Sequence, residues 1–527
     1  MSALCLRMHW HSCGAQEADS DSMERKTYRT IIIAESRNWF AGMTDYDPAR
    51  DLVLALDYGL HRQIAAQGGE VAYLDHLLDR DVMQANNYLT YDYFRHWHND
   101  AYGRDQLVHQ GVPFGFALRV DIWNDLLCYV RFRLCLAQVG QIAHQQMRVG
   151  TQIGPLLQAL DASGLRYSAL PAPTGPMIPS YFFPIFRWMD ERVRSTHWKS
   201  LVREWMTAVL GTVRGWLDRL PAQRRRHAVY VQEYHPTRQL ADALRADARL
   251  RVVQGHYRAA GGWRGLLREH VIPIWPTSWR FEAEAERLLQ GVEATSAARL
   301  VLSNGTDVTD EVRTLIVRRL RPRLATAINE LHWVQRYMVQ HPLVMMVLVG
   351  NLGPIAAVAH RVADQLGIPS FLILNGLLGK ASQDESKHAT WINAYGESIC
   401  SHYFAGMDNV ECLGDPRMDA YAGCAPRILN RSCPTVTIGA SGFNPTDLNS
   451  YLAVEFDFLA DVLTALCAAR SAGLTLHVVI KVRPNGYRTQ YEEFVAEYFP
   501  NLDCRIEDEI PMHTLLEQTD FYISIYS

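Results

Sequence analysis

Four short stretches near the carboxyl end of this 527-residue chain carry residue types suited to an anionic ligand. GASGFN (439–444) sets Gly439, Ser441 and Gly442 after a β-branched run, where glycine lets backbone N–H groups come close to a phosphate. KVRPNG (481–486) places Arg483 immediately before Pro484, which stiffens the turn, with Asn485 next. A guanidinium offers five donors in a fixed fork and stays charged, so it suits a mono- or diphosphate. IEDEIP (506–511) is acidic and starts a short helix at Pro511, and Tyr526-Ser527 forms a fourth tip. Each signal has an ordinary structural reading as well: a glycine pair makes a tight turn, and one arginine caps a helix or pairs with an acid. Their place after consecutive strands is the stronger observation. Ligands of open α/β sheets sit beyond the carboxyl ends of the strands, against loops and helix N-termini.

The elements that must position these tips are read from periodicity. After Pro434 the pattern gives strand 435–439, helix 447–470, strand 475–482, helix 488–499, strand 503–507, helix 511–518 and strand 520–526. That alternation is a doubly wound half-domain. At the other end, YRTIIIAES (28–36) reads as a first buried strand, residues 47–69 as a helix stopped by Gly68 and Gly69, and EVAYLD as the next strand. Residues 85–220 are aromatic and Arg-rich and read as a mainly helical insertion. The α/β rhythm resumes with strands at 227–234 and LRVVQG. A long helix then runs from Thr309 to about Gln340 and breaks at Pro322. LVMMVLV, PSFLIL, TWINA and NVECL supply further strands.

Composition excludes several classes. A net charge of −4 without a long basic block argues against wholesale nucleic-acid binding. Ten cysteines without a CxxC pair fit reduced, mostly buried thiols better than a disulfide framework or a zinc site. No apolar run reaches eighteen residues, and a secretory leader is not evident. His9, His11 and Cys13 have a metal-like spacing in a stretch without periodicity, which reads as a disordered leader (1–27). His96 and His98 form an HxH without third and fourth ligands nearby, which favours packing over metal binding. No metal and no cofactor is expected.

The pattern TIGASGFN … HVVIKVRPN … CRIEDEIPMHTLLEQTDFYISIYS resembles the nucleotide-sugar domain of GT-B glycosyltransferases of bacterial surface and capsular polysaccharide synthesis. CDP-glycerol glycerophosphotransferases and bacterial polysialyltransferases are similar relatives. Where that group ends a strand in K-x-H-P, this chain has Lys481-Val482-Arg483-Pro484. DQLGIPSFLILNG resembles a segment ending in HG, with Asn375 in place of the histidine before Gly376. NAYGES and CLGDPRMDAY resemble further landmarks through Gly396, Glu397, Gly414, Pro416, Arg417 and Asp419. The resemblance covers 227–527, and 28–80 more loosely. It implies two Rossmann-like doubly wound domains: an acceptor domain at 28–430 carrying the insertion, and a donor domain at 431–527 that is cut short.

The implied activity is transfer of a sugar or polyol phosphate from a nucleotide-activated donor to a glycan or lipid-linked acceptor. It implies a cytoplasmic location, with peripheral contact at the inner membrane left open. Donor binding would fall to Gly439, Ser441, Gly442, Arg483, Pro484, Asn485, Tyr526 and Ser527, and cleft lining to Asn375, Gly376, Glu397 and Arg417. The acceptor hydroxyl needs a base. Glu35 is the first candidate, with Asp45 and Asp47 as alternates, and a helix cap or an Arg37 ion pair is the competing role for Glu35. A nonhydrolysing nucleotide-sugar 2-epimerase and a non-catalytic binding module are the alternatives.

Overall fold

A computed structural model describes residues 26–182, 198–217, 226–255, 270–349, 354–374, 389–422, 428–440, 450–483 and 487–525. The chain is α/β, with its main strands in three parallel sheets. The first contains β1 (Tyr28–Ala34), β2 (Asp51–Ala55), β3 (Glu70–Tyr73), β4 (His144–Gly150) and β5 (Ser168–Ala169), in the order β3-β2-β1-β4-β5. The middle sheet contains β6 (His227–Val231), β7 (Leu250–Gln254), β8 (His270–Val271), β9 (Leu343–Leu348), β10 (Ser370–Ile373), β11 (Trp391–Ala394) and β12 (Val410–Cys412), in the order β8-β7-β6-β9-β10-β11-β12. The last contains β13 (Thr435–Gly439), β14 (His477–Lys481), β15 (Cys504–Glu507) and β16 (Phe521–Ser524), in the order β15-β14-β13-β16.

All three share one winding rule. The chain steps outward over three strands on one side of the first strand, then returns to pair on its other side. That reversal is the topological switch point of a doubly wound sheet, where a crevice opens beyond the strand ends. The doubly wound class is therefore as expected, but the span 28–430 contains two sheets rather than one.

Two local differences explain the extra sheet. Residues 51–55 form β2, where a helix was expected. All five side chains of DLVLA are buried, and a short strand covered on both faces has no polar alternation to reveal it. The helix that follows, Tyr58–Ala66, ends as expected before Gly68, whose φ of 71° suits a residue without Cβ. Inside the stretch expected to be mainly helical, His144–Gly150 forms β4 and pairs in register with β1, Ile33 opposite Val149. Pro322 does break the long helix, into Thr309–Leu320 and Leu324–Gln340.

Two compact units emerge: residues 1–83, 128–187 and 427–527 make one, and 84–127 and 188–426 the other. The first unit holds the first and last sheets, the second the middle sheet. In the first unit Ile32, Ala34, Val53, Ala55, Leu60 and Ile64 form a core against Trp39 and Phe40. Val229, Val231, Val252, Val347 and Ile373 form the corresponding layer of the middle sheet.

Within the first unit, helices of the last sheet cover the carboxyl edge of the first. Arg37, past β1, pairs with Glu497, and the Tyr181 hydroxyl donates to the same carboxylate at 2.6 Å. Tyr58, past β2, packs edge-on against Phe494 and Tyr498, with centroids 5.3 and 5.4 Å away. Tyr73, ending β3, donates to Asp457 at 2.8 Å. Aromatic edges bury a large apolar area while leaving hydroxyls free for such bonds.

Candidate functional site

At the switch point of the last sheet, β13 ends on Gly439, which lies opposite Lys481 of β14 and Ser524 of β16. A Cβ at residue 439 would stand 2.1 Å from the Tyr522 hydroxyl oxygen and 3.2 Å from Ser524 Oγ, so a larger residue there must displace the tyrosine. The close approach that marked Gly439 in the sequence is thus made by a tyrosine of the neighbouring strand. Its effect is to gather two hydroxyls, Tyr522 and Ser524, at the strand end.

The cations of this edge separate into bound and unbound. Lys481 is buried and its ammonium donates to the Asp508 carbonyl at 2.9 Å. Burial lowers its pKa, and the charges of Asp508 and Glu507 oppose that shift. Arg488, opening helix Arg488–Tyr498, donates to Glu492 at 2.8 Å and to Asp508 at 2.7 Å. The acidic tip of β15 is thereby occupied from within the sheet. Arg483 is different: it is exposed and makes no hydrogen bond or ion pair among the described residues. A guanidinium at the carboxyl end of a central strand, with no acid to neutralise it among the described residues, is open to an anion. Ser441, Gly442, Pro484, Asn485, Tyr526 and Ser527 lie outside the described residues.

The expected bases fare differently at the first sheet. Glu35 does stand at its switch point, but it is 1% exposed. Its Oε2 accepts from the Thr151 hydroxyl at 3.0 Å and the Gln152 amide at 2.7 Å, tying the end of β1 to the turn after β4. Enclosed this way, the carboxylate ties two strand ends together and is turned away from solvent. Arg37, its suggested ion-pair partner, goes to Glu497.

Asp45 and Asp47 lie on the return path to the start of β2, away from the carboxyl edge. Asp45 pairs with Arg148 at 2.7 Å, and that bond lowers its pKa. The Asp47 carboxylate accepts from the Ala49 amide, and its carbonyl accepts from Asp51 at the start of β2.

The sequence reading missed the acids at this edge. Asp57, past β2, caps helix Tyr58–Ala66 by accepting from Leu60 N at 2.9 Å and also accepts from the Tyr181 amide. Burial pushes its carboxyl up to about 7, with the Tyr181 and Leu60 amides and Arg37 acting against the shift. Asp75, past β3, accepts from Arg131 at 2.8 Å and from Leu452 N at 2.7 Å, while Arg131 also donates to the Ser450 carbonyl at 2.7 Å. Ser450 and Leu452 lie just ahead of helix Val454–Ser471, so this buried pair anchors the chain at the start of that helix. For Asp75 the signal was available, since it closes the strand-like run EVAYLD as the tips of the last sheet close theirs; for Asp57 it was not, since the run before it reads as helix.

In the second unit, Gln232 closes the switch point of the middle sheet, its backbone donating to Val347 O and its side chain accepting from Val349 N, each at 2.9 Å. Further along that edge Asn393 bridges Gly414 O and Leu413 N. Arg417 forks onto Asp415, with bonds of 2.7 to 3.0 Å, and donates to the Tyr395 hydroxyl at 3.1 Å. Glu397 is exposed in the first turn of helix Glu397–Tyr403. Arg417 is thus held by its own turn, whereas Glu397 is open. Asn375 and Gly376 lie outside the described residues.

Among the described residues no cluster of three or more His, Cys, Asp or Glu is placed to hold a metal. His98 is buried, with Nδ1 3.1 Å from Asp105. No described helix is long and apolar enough to cross a membrane.

These sheets define a doubly wound, Rossmann-like α/β protein. No protein-family model matches the chain, and no curated protein matches it in sequence. Solved structures with a similar fold include the S. aureus MnaA–UDP co-structure, at 10% identity, a TM-score of 0.33, and coverage of 57% of this chain and 73% of the other. A UDP-N-acetylglucosamine 2-epimerase aligns at 11% identity and a TM-score of 0.32, with the same coverages. The Neisseria meningitidis UDP-GlcNAc 2-epimerase bound to UDP-GlcNAc aligns at 10% identity and a TM-score of 0.30, covering 56% and 76%. The fold assignment itself rests on strand order and pairing.

Proposed function

We propose that the chain processes a nucleotide-activated sugar, and that within this class it is a glycosyltransferase passing a sugar or polyol phosphate to a surface or capsular glycan acceptor. The donor phosphates would sit at the carboxyl edge of the last sheet. The observation that carries this reading is Arg483: exposed, unpaired among the described residues, and at the end of the strand beside the Gly439–Ser524 switch point.

Breaking a sugar–phosphate bond builds negative charge on the departing nucleotide. A guanidinium that meets the departing phosphate stabilises that charge as it forms, and loss of one such donor costs about 10²–10³ in rate. Lys481 adds a second positive charge at the same edge. Glu397 and Arg417 lie at the carboxyl edge of the middle sheet and are proposed as ligand-binding residues of that sheet by itself. Glu35 is not retained as the base.

The test is nucleotide release from a panel of CDP-, CMP-, UDP- and GDP-sugars by the whole chain and by Arg483→Ala. Release that falls about 10²–10³-fold in the variant supports transfer. Conversion of a donor to its 2-epimer without such release would instead support the epimerase, and binding without turnover the non-catalytic module.

A further inference from the structure

Two thiols meet at the outer edge of the middle sheet. β11 leads through Tyr395 and Gly396 into helix Glu397–Tyr403, which returns the chain to β12, the outermost strand. The helix packs against β12. Cys412 ends that strand opposite Ala394. Cys400 stands one turn into the helix, on the face that also carries Glu397 three residues earlier. The crossover brings the Cys400 thiol into hydrogen-bond contact with Cys412. Both are free thiols; Cys412 is exposed and Cys400 partly so, which puts the pair within reach of solutes. Structural cysteines are buried and inert, as Cys128 and Cys135 are, whereas reactive ones are accessible.

We propose that Cys400 and Cys412 form a redox-active dithiol, oxidised to an internal disulfide by low-molecular-weight disulfides such as oxidised glutathione and reopened by excess thiol. A disulfide holds its sulfurs about 2.05 Å apart, and thiols already in contact reach that spacing by a side-chain movement. The two environments set the order of attack. The hydrogen bond to Cys412, then burial, then the charges of Cys412 and Glu397 push the Cys400 thiol up to about 11. The thiolate is the nucleophile, so the exposed Cys412 attacks first.

Cys412 gives up its proton and its sulfur displaces half of the small disulfide. One S–S bond breaks, a mixed disulfide forms, and the departing thiolate takes up a proton. Cys412 then carries no charge, so its hold on the Cys400 proton is relieved. The Cys400 thiolate attacks the Cys412 sulfur, closes the internal disulfide and releases the second small thiol, which takes up the other proton. Two protein thiols are oxidised and one small disulfide is reduced to two thiols. Closure ties the helix that carries Glu397 to the strand that leads into Arg417. The inference is independent of the donor site on the last sheet.

It is tested by equilibrating the whole chain in glutathione buffers of rising oxidised fraction, alkylating the remaining thiols and digesting with trypsin without reduction. Both cysteines, and no others, fall in the tryptic peptide His388–Arg417. In the oxidising buffers that peptide should be found unalkylated and two hydrogens lighter. It should be about tenfold or more as abundant as in the chain unfolded in urea at the same glutathione ratio, because the fold holds the thiols together. Cys400→Ser, checked for folding by thermal melting, should stop at one glutathione on Cys412. The proposal is overturned by a wild-type peptide alkylated twice in every buffer, or by closure that is no better folded than unfolded. A disulfide from Cys412 to another cysteine overturns it too, as does a folded Cys400→Ser chain that gathers no glutathione.

Discussion

Asp75→Ala is the perturbation with the most defined consequence. The Asp75 and Arg131 side chains are 1% and 2% exposed and 2.8 Å apart. Asp75 also holds the Leu452 amide at 2.7 Å, and Arg131 the Ser450 carbonyl at 2.7 Å. Removing the carboxylate leaves a buried guanidinium without this counter-charge, which costs about 3–5 kcal/mol. If that loss falls on the local anchoring of 450–452, the Leu452 amide should exchange with solvent about 10²–10⁴ times faster, at about 1.4 kcal/mol per decade.

The assay is native-state hydrogen exchange across 450–457, alongside Arg131→Met and the double variant Asp75→Leu/Arg131→Met. Replacing both partners with apolar groups removes the isolated charge. The double variant should therefore be less destabilised than the single penalties summed, by about 1–3 kcal/mol. An unchanged Leu452 exchange rate in Asp75→Ala, or penalties that simply add, would refute the reasoning.

Three other outcomes follow from the same geometry. Asp57 has a folded pKa of about 7, above its unfolded value, so the folded state keeps a proton that the unfolded state releases. Its contribution to stability is therefore present below about pH 4 and is lost as pH rises toward 7, by up to about 4 kcal/mol. Urea midpoints at pH 5 and pH 7 should show Asp57→Asn flattening that slope, and equal slopes would exclude it. Gly439→Ala should destabilise by about 1–3 kcal/mol through the clash with Tyr522, and Tyr522→Ala should recover most of the loss; no recovery would place the strain elsewhere. Glu35→Gln should lower thermal stability while leaving the pH profile of turnover unshifted, and a lost acidic limb in that profile would restore Glu35 as the base.

Much of the fold was legible because its strands and helices announce themselves locally. The Pro322 break, the Gly68 stop and the β13–β16 alternation are decided by residues within one element. What was not legible depends on distant partners. DLVLA is equally apolar as a strand or a buried helix segment, and only pairing with β1 and β3 decides it.

His144–Gly150 has polar residues at its start and becomes a strand because β1 lies beside it. Glu35 has the strand-end position of a catalytic acid, but the Thr151–Gln152 turn that encloses it lies more than a hundred residues away. Asp75 and Leu452 are 377 residues apart. The position of Arg483 just past a strand was legible because the strand is a local pattern, whereas its lack of a partner among the described residues depends on distant side chains.

The central claim is that the carboxyl edge of the last sheet holds the phosphates of a nucleotide. Calorimetric titration of the whole chain with UDP, CDP, GDP and CMP, wild type against Arg483→Ala, tests it most directly. Saturable binding of at least one nucleotide is predicted, weakened about 10–100-fold in the variant by loss of a charged hydrogen-bonding partner. No binding by the wild-type chain, or the same affinity in both, would contradict it.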